Sequence, residues 1–342
     1  MENIKLTQYS KASGCGCKIA PAVLQEILKS DFEIVCQELL IGNKTNDDAA
    51  VYDLGNGQCL ISTTDFFMPV VDAPNDFGKV ASANAISDVY AMGGKPILAI
   101  AILGWPTEKL GTESAKEVLN GAREICAKAG IPLAGGHSIE SAEPIFGLAV
   151  NGLVEQKNLK ENNSVKEGDS IYLTKSLGTG VYSTALKRGV LKEEDRSVLL
   201  NSMCELNALG TELGKLPYVN ALTDVTGFGF LGHLLEMIGD KPLTAEITKS
   251  KIKTFPNLSS YISQFIYPDN TTRNFNAYEK DSKGMADLDF MIYCDPQTSG
   301  GLLFTINSSL ENEFENWLKQ TNRSAVKVGT VLKLREKKVE FI

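Results

Sequence analysis

Helical patterns too long to be connectors alternate along this chain with β-hairpin signals, and that order constrains the fold more than any other feature. Ala49 to Leu54 and Gln58 to Thr64 flank a Gly55-Asn56-Gly57 turn and read as a hairpin. Asn75 to Met92 follows with helical spacing and stops at Gly93-Gly94. Pro96 to Leu103 is a continuous apolar run, read as a buried strand. Thr112 to Ala129 is an amphipathic helix stopped by Gly130, and strands are expected at Ile131 to Ala134 and Ile145 to Val154. Hairpins interleaved with long helices point to α+β domains rather than a regular βαβ repeat. At 342 residues the chain is too long for one ordinary core, so two domains are expected.

The polar stretch Gln156 to Gly168 is the candidate linker. The expected division is a mobile N-terminal catalytic segment at 1–20, an ATP- and metal-binding domain at 21–156, a linker at 157–168 and a C-terminal domain at 169–342. Pro21 to Leu28 reads as a short helix. Past the linker, strands are expected at Ser170 to Thr174 and Val219 to Leu222, with helices near Gly180 to Arg188, Arg196 to Leu213 and Phe230 to Ile238. Lys249 to Asp289 is the least readable segment and is expected to hold a mobile excursion. The end reads as strand, Gly300-Gly301 turn, strand, helix (Ser309 to Gln320) and a closing hairpin.

Hydrophobic content of 43% and charged content of 22% are those of a soluble globular protein. A net charge of −8 with no basic stripe argues against a nucleic-acid backbone as main partner. No apolar run reaches membrane-spanning length, and the start, Met-Glu-Asn-Ile-Lys-Leu-Thr-Gln, indicates no signal peptide. Seven cysteines, an odd number scattered through apparent elements, suit reduced thiols, so a cytoplasmic setting is expected. Cys36, Cys59, Cys126, Cys204 and Cys294 read as small buried apolar residues.

The remaining two cysteines lie in Gly14-Cys15-Gly16-Cys17-Lys18, two thiols and an ammonium on a loosened backbone. A neighbouring cation favours the thiolate, the form that attacks electrophiles and binds soft elements. Read alone, the pentapeptide is equally a frayed tail. It is a poor zinc site, because the spacing is one residue, no second close pair exists and only His137 and His233 are available.

Aspartates gather at the ends of elements. Asp47 and Asp48 precede a strand, Asp65 ends its partner, Asp88 lies mid-helix four residues after Asn84, and Asp224 follows a later strand. Converging carboxylates suit magnesium, a hard cation that keeps places for phosphate oxygens, whereas each alone also fits a cap or turn. Glycine-rich turns are expected at Gly93-Gly94, Gly135-Gly136-His137-Ser138, Gly227-Phe228-Gly229 and Ser299-Gly300-Gly301, where backbone N–H groups can face an anion. No Walker A sequence is present. Gly227 to Gly232 matches G-x-G-x-x-G with Glu246 near the ribose-acid distance, so a dinucleotide domain is a rival, although no regular βαβ units follow. His137 reads as a base, a ligand or a hydrogen-bonding turn residue, and His233 as structural.

Taken in order, Gly14-Cys15-Gly16-Cys17-Lys18, Asn46-Asp47-Asp48-Ala49-Ala50-Val51, Thr63-Thr64-Asp65-Phe66, Asn84-Ala85-Ile86-Ser87-Asp88, Gly135-Gly136-His137-Ser138-Ile139, Leu222-Thr223-Asp224-Val225-Thr226-Gly227 and Asp295-Pro296-Gln297-Thr298-Ser299-Gly300-Gly301 resemble the selenophosphate synthetase (selenide, water dikinase) family nearly end to end. The resemblance implies a fold shared with aminoimidazole ribonucleotide synthetase: two α+β domains, the N-terminal ones pairing across a homodimer. It implies the reaction of ATP, selenide and water to selenophosphate, phosphate and AMP. By position, Cys15 is then the catalytic thiol, where some members carry selenocysteine, and Lys18 the essential cation. Asp48, Asp88 and Asp224 hold Mg2+, while Lys18, Thr45, Asn46, Asp47, Asp65, Asp88, Gly136, His137 and Ser138 contact ATP. The chemistry agrees, because acidic residues approach a triphosphate only through bridging divalent cations. A related synthetase activating an amide or formyl oxygen would share the aspartates but leave Cys-Gly-Cys-Lys without a purpose. A selenium or metal carrier using Cys15 and Cys17 would release no AMP.

Overall fold

The computed structural model describes residues 4–10, 23, 26, 27, 29, 35–42 and 47–342. Cys15, Cys17, Lys18, Thr45 and Asn46, and most of the expected Pro21 to Leu28 helix, lie outside the described residues.

The first half is built on β1 (Leu39–Ile41), β2 (Ala50–Asp53), β3 (Gln58–Phe67), α1 (Pro74–Ala91), β4 (Lys95–Trp105), α2 (Thr107–Ala129), β5 (Leu133–Glu140) and β6 (Ile145–Glu155). Its six-stranded sheet runs β1-β2-β3-β6-β4-β5, antiparallel except for the parallel pair β4/β5. The second half contains β7 (Ser170–Leu173), α3 (Thr179–Lys187), α4 (Glu193–Cys204), α5 (Leu209–Gly214), β8 (Val219–Asp224), α6 (Gly229–Ile238) and β9 (Leu243–Ile247). It continues with α7 (Leu258–Ile262), α8 (Asp269–Tyr278), β10 (Ser282–Lys283), α9 (Phe290–Tyr293), β11 (Leu302–Ile306), α10 (Glu311–Gln320), β12 (Val326–Lys333) and β13 (Val339–Phe341). Its seven-stranded mixed sheet runs β10-β13-β9-β12-β7-β11-β8. The fold is therefore α+β in two sheet-based halves, as expected. Among the described residues no helix is long and apolar enough to cross a membrane.

α1 is the centre of the molecule. It packs on β3 and β6, lies against α2, and on its remaining side meets α4, α5 and β8 of the second half. A helix enclosed in this way needs small or apolar residues all round, and Ala81, Ala83, Ala85, Ile86 and Val89 are each at most 1% exposed. The α1/α2 crossing is closed by glycine: a Cβ on Gly78 would sit 1.9 Å from the Val118 carbonyl oxygen, and one on Gly121 2.0 Å from that of Asn75.

Several local expectations are corrected. Gly135 to Ser138 is no turn but the middle of β5, where a Cβ on Gly136 would meet the Ala101 carbonyl oxygen at 2.3 Å, so the glycine serves close strand approach. Asp65 does not end its strand, which continues to Phe67, and Asp224 is the last residue of β8 rather than following it. The helix expected over Arg196 to Leu213 is two helices, α4 and α5, parted at Glu205 to Ala208. Lys249 to Asp289 forms α7 and α8, with Leu258, Tyr261 and Ile262 packed into the core. The segment before Gly300 holds the short helix α9 instead of a strand. β12 and β13 form no hairpin, because β9 lies between them. The dinucleotide rival also fails: β8 and β9, joined by α6, are separated by β11, β7 and β12, and Glu246 is paired with Arg335.

Candidate active site

Alternation along β3 puts Thr63 and Asp65 on the face covered by α1, and helical spacing brings Asn84, Ser87 and Asp88 to the side of α1 that meets them. The Thr63 hydroxyl donates to Asp88 Oδ2 at 2.5 Å, and the Asn84 amide donates to Asp65 Oδ2. The second half arrives at the same place through the end of β8. Thr223 Oγ1 donates to Asp48 Oδ1 at 3.0 Å, and Ser87 Oγ donates to Asp224 Oδ2 at 2.5 Å. The loop before β11 closes the arrangement. Ser299 N donates to Asn84 Oδ1 at 2.7 Å, while Asn207 Nδ2 donates to both Ser87 Oγ at 2.7 Å and the Gly300 carbonyl at 2.8 Å. Asp48, Asp65, Asp88 and Asp224, distant in sequence, thus gather around one stretch of α1.

Electrostatics ties the group together. Burial raises the Asp48 carboxyl well above its ordinary value, and the negative charges of Asp224 and Asp88 push it further in the same direction. Lys175 stands nearby, its ammonium lowered to about 8 by burial against the opposing pull of Glu205 and Asp224. Its Nζ donates to the carbonyls of Ser202, Glu205 and Ser299 rather than to a carboxylate.

The donor set fits a divalent cation. Asp48 Oδ2 and Asp47 Oδ2 are sealed from water and have no hydrogen-bond partner among the described residues. A buried carboxylate oxygen left bare beside like charges is costly unless a cation meets it. Among the described residues no group of three or more His, Cys, Asp or Glu is already arranged to hold a metal ion. Thr63, Ser87 and Thr223 each hold one oxygen of Asp88, Asp224 and Asp48, respectively. Asp47 faces the linker, its Oδ1 accepting from Asn162 N at 3.0 Å.

Of the other expected contacts that are described, Gly136, His137 and Ser138 do not join this group. Phe66, Gly147, Ile102 and His137 form one cross-strand row. His137 therefore shares with Phe66 the sheet face opposite to Asp65, three strand spacings away, roughly 14 Å. With Gly136 and Ser138 it lines a surface cavity of about 270 Å³ that also touches Arg123. His233 sits in α6, its Nε2 at 3.2 Å from Thr226 Oγ1 and its Nδ1 at 3.1 Å from Glu236.

Residues 46–154 match the family described as AIR synthase related protein, N-terminal domain, and residues 166–342 its C-terminal domain. The chain is 48% identical over 331 residues to the selenide, water dikinase of Shewanella sp. (strain MR-7), covering 96% of this chain and 94% of that protein. It is 50% identical over 333 residues to the selenide, water dikinase of Colwellia psychrerythraea, covering 97% of each. The chain belongs to the selenide, water dikinase family. Like its relatives, this dikinase-family chain is an enzyme. Two solved structures share the fold. Thiamine monophosphate kinase from Aquifex aeolicus has a TM-score of 0.66 at 17% identity, covering 94% of both chains. Hydrogenase maturation protein HypE in complex with ATP has 0.63 at 16%, covering 86% of this chain and 82% of that one.

For a dikinase-family chain, the sequence motifs carried the acidic residues, but several of their holders went unread. Thr63 and Thr223 stand within quoted motifs and were discoverable from period-two alternation and adjacency. Ser87 lies three residues after Asn84 on the same helix. Lys175 and Asn207 had no local signal, since their partners lie more than twenty residues away in sequence.

Proposed function

We propose that this enzyme makes selenophosphate from ATP, selenide and water, releasing phosphate and AMP, with Mg2+ held by Asp48, Asp88 and Asp224. The observation that supports this most is the bare, buried Asp48 oxygen beside two further carboxylates, at a point where both halves of the chain meet. Three clustered negative charges repel a triphosphate, so the site makes chemical sense for a nucleotide only with cations between them. Bound magnesium supplies charge neutralisation and a template for the phosphates. The chain's own contribution is orientation: Thr63, Ser87 and Thr223 fix the carboxylates, and Asn84 fixes Asp65. That suits phosphoryl transfer, which depends mainly on positioning and electrostatics.

Family resemblance assigns Cys15 as the thiol that handles selenide and Lys18 as a cation on the phosphates, with Thr45, Asn46 and Asp47 as further ATP contacts. In this reading two copies pair through the face of the first sheet opposite to α1 and α2. Phe66 (49% exposed), Ile100 (41%) and Ile139 (59%) lie there, an apolar surface of the kind that marks an interface. Gly136, His137 and Ser138 then contact the nucleotide held by the second copy.

Phosphorus NMR of the protein with ATP, magnesium and selenide tests the proposal. Selenide-dependent appearance of selenophosphate, phosphate and AMP is expected, and Cys15→Ser abolishes it while leaving magnesium-dependent ATP binding intact. ATP that persists unchanged, or ADP as the end product, removes the proposed reaction. Full turnover by Cys15→Ser removes the thiol from it.

A further inference from the structure

Ser299 carries two unfavourable features at once. Its φ of 51° lies in the left-handed region, which costs any residue with a Cβ. Its Oγ is fully buried yet finds no hydrogen-bond partner among the described residues. Glycine would remove both costs, and glycine follows at the next two positions. Those glycines are needed for space: a Cβ on Gly300 would lie 2.0 Å from the Val225 carbonyl oxygen, and one on Gly301 2.4 Å from Lys175 N. In this Ser-Gly-Gly run, Ser299 therefore carries the one side chain, since the next two positions have no room for a Cβ.

The strain is imposed by a frame. The Ser299 N–H is held by Asn84 Oδ1 at 2.7 Å, and its carbonyl by Lys175 Nζ at 2.9 Å. The next carbonyl, that of Gly300, is held by Asn207 Nδ2. Each holder also reaches the acidic group. Asn84 holds Asp65, Asn207 acts through Ser87 on Asp224, and the Lys175 ammonium feels the charge of Asp224. A backbone forced into a rare conformation by residues that also orient the carboxylates is the pattern of a preorganised ligand contact.

We propose that the Ser299 hydroxyl is a phosphate contact, donating a hydrogen bond from Oγ to a phosphate oxygen of magnesium-bridged ATP, with Asn84, Lys175 and Asn207 as its positioning residues. This rests on reading the acidic group as an ATP site. It adds a neutral donor from the second half of the chain beside the carboxylates of Asp48, Asp88 and Asp224. No proton changes hands in the contact, so it acts in binding whatever the later chemistry.

Two variants decide the matter. Ser299→Ala deletes the hydroxyl and keeps the strain, whereas Ser299→Gly deletes both. Both are expected to bind ATP with magnesium about tenfold or more weakly, the typical loss for a hydrogen bond to a charged group, and to bind adenosine like the wild type. Ser299→Gly is expected to unfold at the wild-type temperature or above it. ATP affinity unchanged in both variants would overturn the proposal. So would a loss confined to Ser299→Ala and accompanied by a lower unfolding temperature, since the residue would then serve the loop alone. Because the titrations contain no selenide, they report on Ser299 even if the wild type makes no selenophosphate.

Discussion

Asp48 is pulled two ways. Its carboxylate is suited to a divalent cation, yet without one it is a buried charge beside Asp224 and Asp88. Its folded-state value is raised, so between the ordinary 3.8 and that raised value the folded chain keeps a proton that the unfolded chain has released. Stability from this group is therefore full below the ordinary value and is lost as pH rises through the raised one. Asp48→Asn keeps an oxygen to accept from Thr223 and removes the charge. We expect it to raise the metal-free unfolding temperature at neutral pH by about 2 °C or more, the scale of ~1 kcal/mol in a chain of this size. We also expect it to flatten the acid-side pH dependence and to lose most of the stabilisation that magnesium with ATP gives the wild type. Calorimetric scans with and without magnesium and ATP check this. A metal-free midpoint well below wild type would make Asp48 a structural residue. A stabilised variant that has lost the magnesium response would fit the trade of stability against function seen where a functional residue is replaced.

Among the elements, α1 and its crossing with α2 set the position of everything else. Gly121→Ala would gain up to about 1 kcal/mol of helix propensity. The added methyl, however, meets a backbone oxygen of Asn75 at 2.0 Å, which no rotamer change can relieve. Overpacking of that kind costs about 1–3 kcal/mol, so the clash wins and a lower midpoint in thermal or urea unfolding is expected. A midpoint at or above wild type would show that the helices can slide apart. The same elements show what a sequence reader can and cannot see. α1, β4 and β6 were legible because their spacing and glycine stops are local. The break between α4 and α5 was not, because the chain turns there to place Asn207 against Ser87 and Gly300, and those partners lie far away in sequence. The strand expected at Ile131 to Ala134 catches only the start of β5, and Gly135 to Ser138 was misread as a turn because Gly136 serves contact with β4, a demand that appears only once the strands are paired. The acidic residues could be identified one by one, but their convergence could not, since it depends on β8 reaching α1.

At the scale of the whole molecule, among the described residues one side of the first sheet is left uncovered while α1 and α2 cover the other. If two copies pair there, a charge in the row of Phe66 separates them. Phe66→Glu is expected to turn a dimer into a monomer in sedimentation velocity and to weaken ATP binding, because His137 and its neighbours then lose access to the second copy's site. A wild type that sediments as a monomer at micromolar concentration would remove the pairing. The shared use of α1 has a consequence for modularity. The halves meet through Asn84 to Ser299, Ser87 to Asp224 and Thr223 to Asp48, so neither owns a finished site. Chimaeras spliced at the linker should therefore inherit catalysis only when both parents agree at these seam positions, however well each half folds. Recombination within such a chain is constrained less by its two cores than by a handful of polar side chains at the join.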